Sequence, residues 1–116
     1  MGSQSYRDLI VWQRGIELSI LVYEVCSTFP RSELYGLTDQ MKRAVVSISS
    51  NIAEGRARHH IAEFRQFLSI SNASLAELET QRIVAERMGL SHRRGALSWT
   101  SVSPRSGKRS TLFAQN

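Results

Sequence analysis

Met41-Lys42-Arg43-Ala44-Val45-Val46-Ser47-Ile48-Ser49-Ser50-Asn51-Ile52-Ala53-Glu54-Gly55 is the stretch that decides the fold. Met41, Val45, Ile48 and Ile52 follow one another at spacings of four, three and four, with Ala44 beside them, which is the period of an amphipathic helix and not of a strand. Upstream, Thr38 is the expected N-cap, with Asp39 complementing the positive end of the helix dipole. Downstream, Gly55 is expected to close the helix in a left-handed turn. A helix over about residues 38–54 follows.

Two longer helical patterns flank it. In the first, over residues 6–29, Leu9, Trp12, Ile16, Tyr23 and Cys26 form one apolar stripe, and Val11, Leu18, Val22, Val25 and Phe29 form a second beside it. Adjacent stripes predict a helix covered on more than one side, as in a bundle helix that also meets another subunit. Asp8 lies in its first turn, and Pro30 stops it. In the third pattern, residues 61–88, Ile61, Phe64, Leu68, Ser71, Leu75, Leu78 and Ala85 make a coiled-coil-like seam. Arg82 interrupts that seam. Because an unpaired buried charge costs several kcal/mol, either the stripe rotates toward Ile83 and Val84 or this end is exposed. Gly89 ends the pattern.

Beyond Leu90 the composition changes. Residues 91–116 carry ten Ser, Thr and Gly residues, Pro104 and no carboxylate, and no amphipathic helix is written there. The domain reading is therefore a helical bundle over residues 1–90 and a basic Ser/Arg/Gly-rich tail over 91–116, disordered or read out of frame. Three clear helices with a degenerate or missing fourth define an all-α, up-and-down bundle.

The net charge of +5 belongs to that tail. Five of the fifteen Lys and Arg residues lie in it (Arg93, Arg94, Arg105, Lys108, Arg109), while all ten acidic residues lie before it against the other ten cations, leaving the body neutral. Bulk charge thus says little about the folded part. No apolar run has signal-peptide or membrane-spanning length, so a soluble cytoplasmic protein is expected. The single cysteine, Cys26, forms no intrachain disulfide and reads as a small buried hydrophobe.

Asp8-Leu9-Ile10-Val11-Trp12-Gln13, Phe29-Pro30-Arg31-Ser32-Glu33-Leu34-Tyr35-Gly36-Leu37, the pairs Arg43-Ala44 and Ser47-Ile48, Asn51-Ile52-Ala53-Glu54-Gly55, and the third-helix runs Glu63-Phe64, Phe67-Leu68 and Ser74-Leu75-Ala76-Glu77-Leu78-Glu79 resemble the bacterial four-helix-bundle family encoded in intervening sequences of 23S rRNA genes. The resemblance spans about residues 6–90. It implies an up-and-down bundle that assembles as a homopentamer, has no enzymatic activity, and is similar in fold to the accessory protein of diversity-generating retroelements, which binds nucleic acid and a reverse transcriptase. After Leu90 the sequence departs from the pattern of a fourth amphipathic helix, as a frameshift or truncation would make it do.

The candidate nucleic-acid site is the cation cluster of Lys42, Arg43, Arg56, Arg58 and His59, with His60 beside it and Arg65 one turn into the third helix. Cations near a helix end attract phosphates. Glu54 and Glu63 lie among them, and ordinary Glu–Arg pairing on a solvated face is the competing reading. The basic tail allows the same two readings. His59, His60 and Glu63 have ligand-like spacing but no further ligand pair, so no metal site is expected, and no cofactor. Gly107-Lys108-Arg109-Ser110 fails as a phosphate loop because Val102 stands where its first glycine belongs. Asn51 and Glu54 are expected to tie the second helix to its neighbours, not to catalyse. The expected function is that of a non-enzymatic oligomer binding structured RNA or an RNA–protein complex; the alternative is a protein-interaction scaffold with the doubly striped first helix as its interface.

Overall fold

The computed structural model describes residues 5–33 and 35–90. The segment 91–116, with its expected tail, lies outside the described residues. Three α-helices follow in chain order: α1 (Ile10–Cys26), α2 (Leu37–Ala57) and α3 (Ile61–Arg87), with short 3-10 turns at Tyr6–Asp8 and Arg31–Glu33. Among the described residues there is no strand, and the fold is an all-α helical bundle.

The helix α2 is the middle element. Gly15 of α1 meets Ser49 of α2, and Ser19 Oγ reaches Val45 O at 3.4 Å; numbers rise along one helix as they fall along the other, so the pair is antiparallel. On the far side Ser71 Oγ donates to Ile48 O at 2.8 Å and Ser47 Oγ to Ser74 Oγ at 2.6 Å, while Gly55 lies against Phe67. The pair α2–α3 is antiparallel as well. Leu18 and Val22 of α1, Val45, Ile48 and Ile52 of α2 and Leu78 of α3 are fully buried, and Met41 and Leu75 nearly so.

Several expectations are corrected. The first helical stretch is shorter than 6–29. Ser5 Oγ accepts from Arg7 N to cap a separate 3-10 turn that contains Asp8, and α1 starts only at Ile10. At the other end Ser27 and Thr28 donate their hydroxyls to Glu24 O and Val25 O, both at 2.6 Å. Such side-chain bonds compete with the helical ladder, so α1 ends before Pro30 is reached and Phe29 turns into the core.

The two stripes of α1 separate in the structure. Val11, Leu18, Val22, Val25 and Phe29 form the buried face; of the other stripe only Cys26 is buried, while Ile16 and Tyr23 are exposed. Gly36, not Thr38, is the N-cap of α2, and Thr38 is buried within the first turn. Gly55 does not close α2. The helix runs on to Ala57, and His59 takes the left-handed conformation at φ 62°. Gly55 is instead a point of close approach, because a Cβ there would stand 2.5 Å from Phe67 Cβ.

The seam of α3 neither rotates toward Ile83 and Val84, which are 40% and 43% exposed, nor is left exposed at Arg82. Gln81 and Ala85 carry the burial on, and Arg82 is held between Glu79 (2.9 Å) and Glu86 (2.6 Å) with its side chain 15% exposed. Two carboxylates at helical spacing answer the charge that the seam could not bury. Gly89 ends α3 as expected: at φ 75° it lets Leu90 N donate to Ala85 O and Gly89 N to Glu86 O, a Schellman closure.

Candidate nucleic-acid interface

The cations predicted as one cluster fall into two places on α2. Lys42 and Arg43 lie near its start, and Arg56 in its last turn, fourteen residues or about 21 Å away along the axis. The two groups have different surroundings.

At the distal end, Arg58 is engaged three ways. Its guanidinium lies 3.6 Å from Glu54 and 3.6 Å from Glu63, and 5.2 Å from the centre of the Phe67 ring. It bridges the corner between α2 and α3 through two long pairs, with its side chain half exposed. Arg56 is half-buried in the last turn of α2, and Arg65 is exposed on α3; neither makes an ion pair among the described residues. His59 and His60 are exposed in the link, and among the described residues no three His, Cys, Asp or Glu side chains gather as metal ligands would.

At the proximal end, Arg43 Nε donates to Asp39 Oδ2 at 2.9 Å across one turn, with the Arg43 side chain 80% exposed. Exposed pairs of this kind contribute about 0–1 kcal/mol and open readily to a competing anion. Lys42 Nζ lies 4.8 Å above the centre of the Tyr23 ring, an α1 side chain. Both cations, Asp39 and Tyr23 line a cleft of about 540 Å³ that also contains Val46, Ser47, Ser50 and Asn51.

The sequence reasoning missed Tyr23 by assigning it to a core stripe. The signal that could have found it was its register: Tyr23 follows the fully buried Val22 on a different face of the helix. Asn51 also departs from expectation. Its Nδ2 donates to Ser47 O within α2 at 2.7 Å, and Glu54 pairs with Arg58 of the same helix; the hydrogen bonds that tie α2 to α3 come instead from Ser47, to the Ser74 hydroxyl, and from Ser71, to Ile48 O. A second groove of about 620 Å³, nearly all apolar, runs beside the cleft along Ile16, Ser19, Ile20, Tyr23, Glu24 and Ser27. Cys26 is buried next to this face, and burial pushes its thiol pKa above the usual 9.0, with nearby Lys42 pulling weakly the other way.

Tyr6 packs edge-on against Trp12, ring centres 5.3 Å apart, and Gln13 Nε2 donates to Arg7 O at 2.9 Å. The Asp8–Gln13 motif is thereby accounted for as the lock between the entering turn and α1. The family description of the 23S rRNA-intervening sequence protein matches residues 7–101. The chain belongs to this family. The match runs on past Leu90, so family likeness extends into the stretch that composition set apart. No curated protein matches the sequence significantly. No helix among the described residues is long and apolar enough to cross a membrane.

Proposed function

We propose that this member of the 23S rRNA-intervening sequence family is a non-enzymatic, cytoplasmic helical-bundle protein that self-associates, as a homopentamer by family resemblance, and binds structured RNA or an RNA–protein complex. The observation that carries the reading is the placement of Lys42 and Arg43 in an open cleft of a body whose charges balance only with them included, with Arg56, Arg58, His59 and Arg65 at the other end of the same helix and its exit. Phosphates spaced along a strand would meet cations at both ends, and the weakly held Arg43–Asp39 pair leaves a donor to exchange.

Filter binding of ribosomal RNA fragments tests it. Retention at about 50 mM salt that falls by orders of magnitude toward about 200 mM agrees with phosphate contacts; absence of retention at the lower salt sinks the reading. A Lys42→Ala/Arg43→Ala double variant should weaken binding and flatten the salt dependence.

One observation favours the scaffold reading instead: Ile16, Ile20 and Tyr23 leave an apolar groove open on α1. Contiguous apolar surface of this kind marks interaction sites. A nuclease-insensitive pull-down dominated by one protein supports the scaffold, and light scattering reports the self-association.

A further inference from the structure

The apolar groove on α1 and the cationic cleft beside it share a single side chain, Tyr23. The residue is 46% exposed, so it contributes little to the core, and the Lys42 ammonium lies over one face of its ring, 4.8 Å from the centre. To one side lie the exposed apolar groups Ile16 and Ile20, with Glu24 at that groove's edge; to the other lie Arg43, paired with Asp39, and Ser50 and Asn51, which offer hydrogen-bond donors and acceptors. An aromatic face between an apolar surface and a cationic, amide-bearing cleft suits a nucleobase: the ring takes its π-face, the apolar side chains exclude water, and the cations take its phosphate.

We infer that Tyr23 is a stacking platform for an unpaired base, so that the ligand class at this cleft is RNA with single-stranded loops or bulges and not continuous duplex. The inference rests on the RNA-binding reading above and narrows it. A paired base keeps both faces inside its own stack and cannot use the ring. The Arg43 guanidinium, 80% exposed, and Lys42 then act on the backbone of the same nucleotide or its neighbour. The distal cations extend the track without choosing between paired and unpaired strands.

The test compares a hairpin with a purine-rich loop against a blunt duplex of equal length, each labelled and titrated by fluorescence anisotropy at low salt. The loop is expected to bind about tenfold more tightly, and Tyr23→Ala to abolish that margin, a stacked base being worth a factor of roughly five or more. Tyr23→Phe should keep the margin, and neither variant should change the salt slope. Tyr23 is largely outside the core, and a thermal melt confirms that both variants fold. Equal affinity for loop and duplex, or a loop preference that survives Tyr23→Ala, overturns the inference while leaving RNA binding intact. Failure of both RNAs to bind overturns the RNA reading and this one together.

Discussion

Each side of α2 meets its neighbour closely at a glycine, but by different means. On the α1 side, a Cβ added at Gly15 would meet the Ser49 hydroxyl, an atom at the end of a rotatable bond, with Ser49 Cβ at an ordinary 3.4 Å. On the α3 side, a Cβ at Gly55 would meet Phe67 Cβ at 2.5 Å, an atom fixed by its own backbone, with the ring carbons just behind it. The α1 contact is a hydroxyl filling a gap and can yield; the α3 contact sets the helix separation and cannot. The surroundings differ outside the core as well: on the α3 side Arg58 lies near Glu54, Glu63 and the Phe67 ring, whereas on the α1 side Lys42, Arg43 and Tyr23 line an open cleft. The rigid seam builds the bundle, and the yielding one borders the surface available for binding.

The largest effect should come from Gly55→Ala. Overpacking costs ~1–3 kcal/mol or more, against which alanine's helical preference returns ~1 kcal/mol. A net loss of about 2 kcal/mol in urea unfolding is expected, and Phe67→Ala should not rescue it because the offending Cβ remains. A rescue there would erase the contrast between the seams.

Gly15→Ala should cost about 1 kcal/mol, and here the second change matters: with Ser49→Ala the hydroxyl is gone, and the double variant should return to within about 0.5 kcal/mol of the parent protein. Non-rescue would mean that the α1 seam is as rigid as the other. His59→Gly sharpens the comparison at the corner that joins α2 to α3. A non-glycine residue at φ 62° carries left-handed strain, and its relief should raise stability by about 0.5–1 kcal/mol, less the entropy glycine adds to the unfolded chain.

The smallest effect concerns Cys26 on α1. Its raised pKa means that the native state holds the thiol proton more tightly than the unfolded chain does, so stability is full below the ordinary thiol range and declines as pH rises through 9.0. Melting temperature should drop slightly from pH 8 to pH 10 in the parent and not in Cys26→Ala. Iodoacetamide should modify the native thiol far more slowly than the urea-unfolded one; equal rates would show that the α1 side is open to the core.

Much of the fold was legible in the sequence because helical period is a local property. Met41, Val45, Ile48 and Ile52 declare a buried face through their spacing alone, and the Gly89 stop needs only its neighbours in sequence. The site was legible only as a set of cations. Nothing local to α2 says that Arg58 meets Phe67, or that Lys42 meets a tyrosine of α1; the first contact depends on how the α2–α3 corner folds, the second on the antiparallel register of α1 and α2.

What the sequence alone determined is therefore three amphipathic helices, their order, a neutral body and membership of a family by its motifs. Only the tertiary structure decided which stripe of α1 is buried, that Gly55 serves contact and not termination, and that Tyr23 stands open beside Lys42. The reason is physical. Periodicity reports that a residue lies on an apolar face, but whether that face is covered depends on the approach distance of a second helix, and that distance is set by pairs such as Gly55 and Phe67 twelve residues apart in the chain.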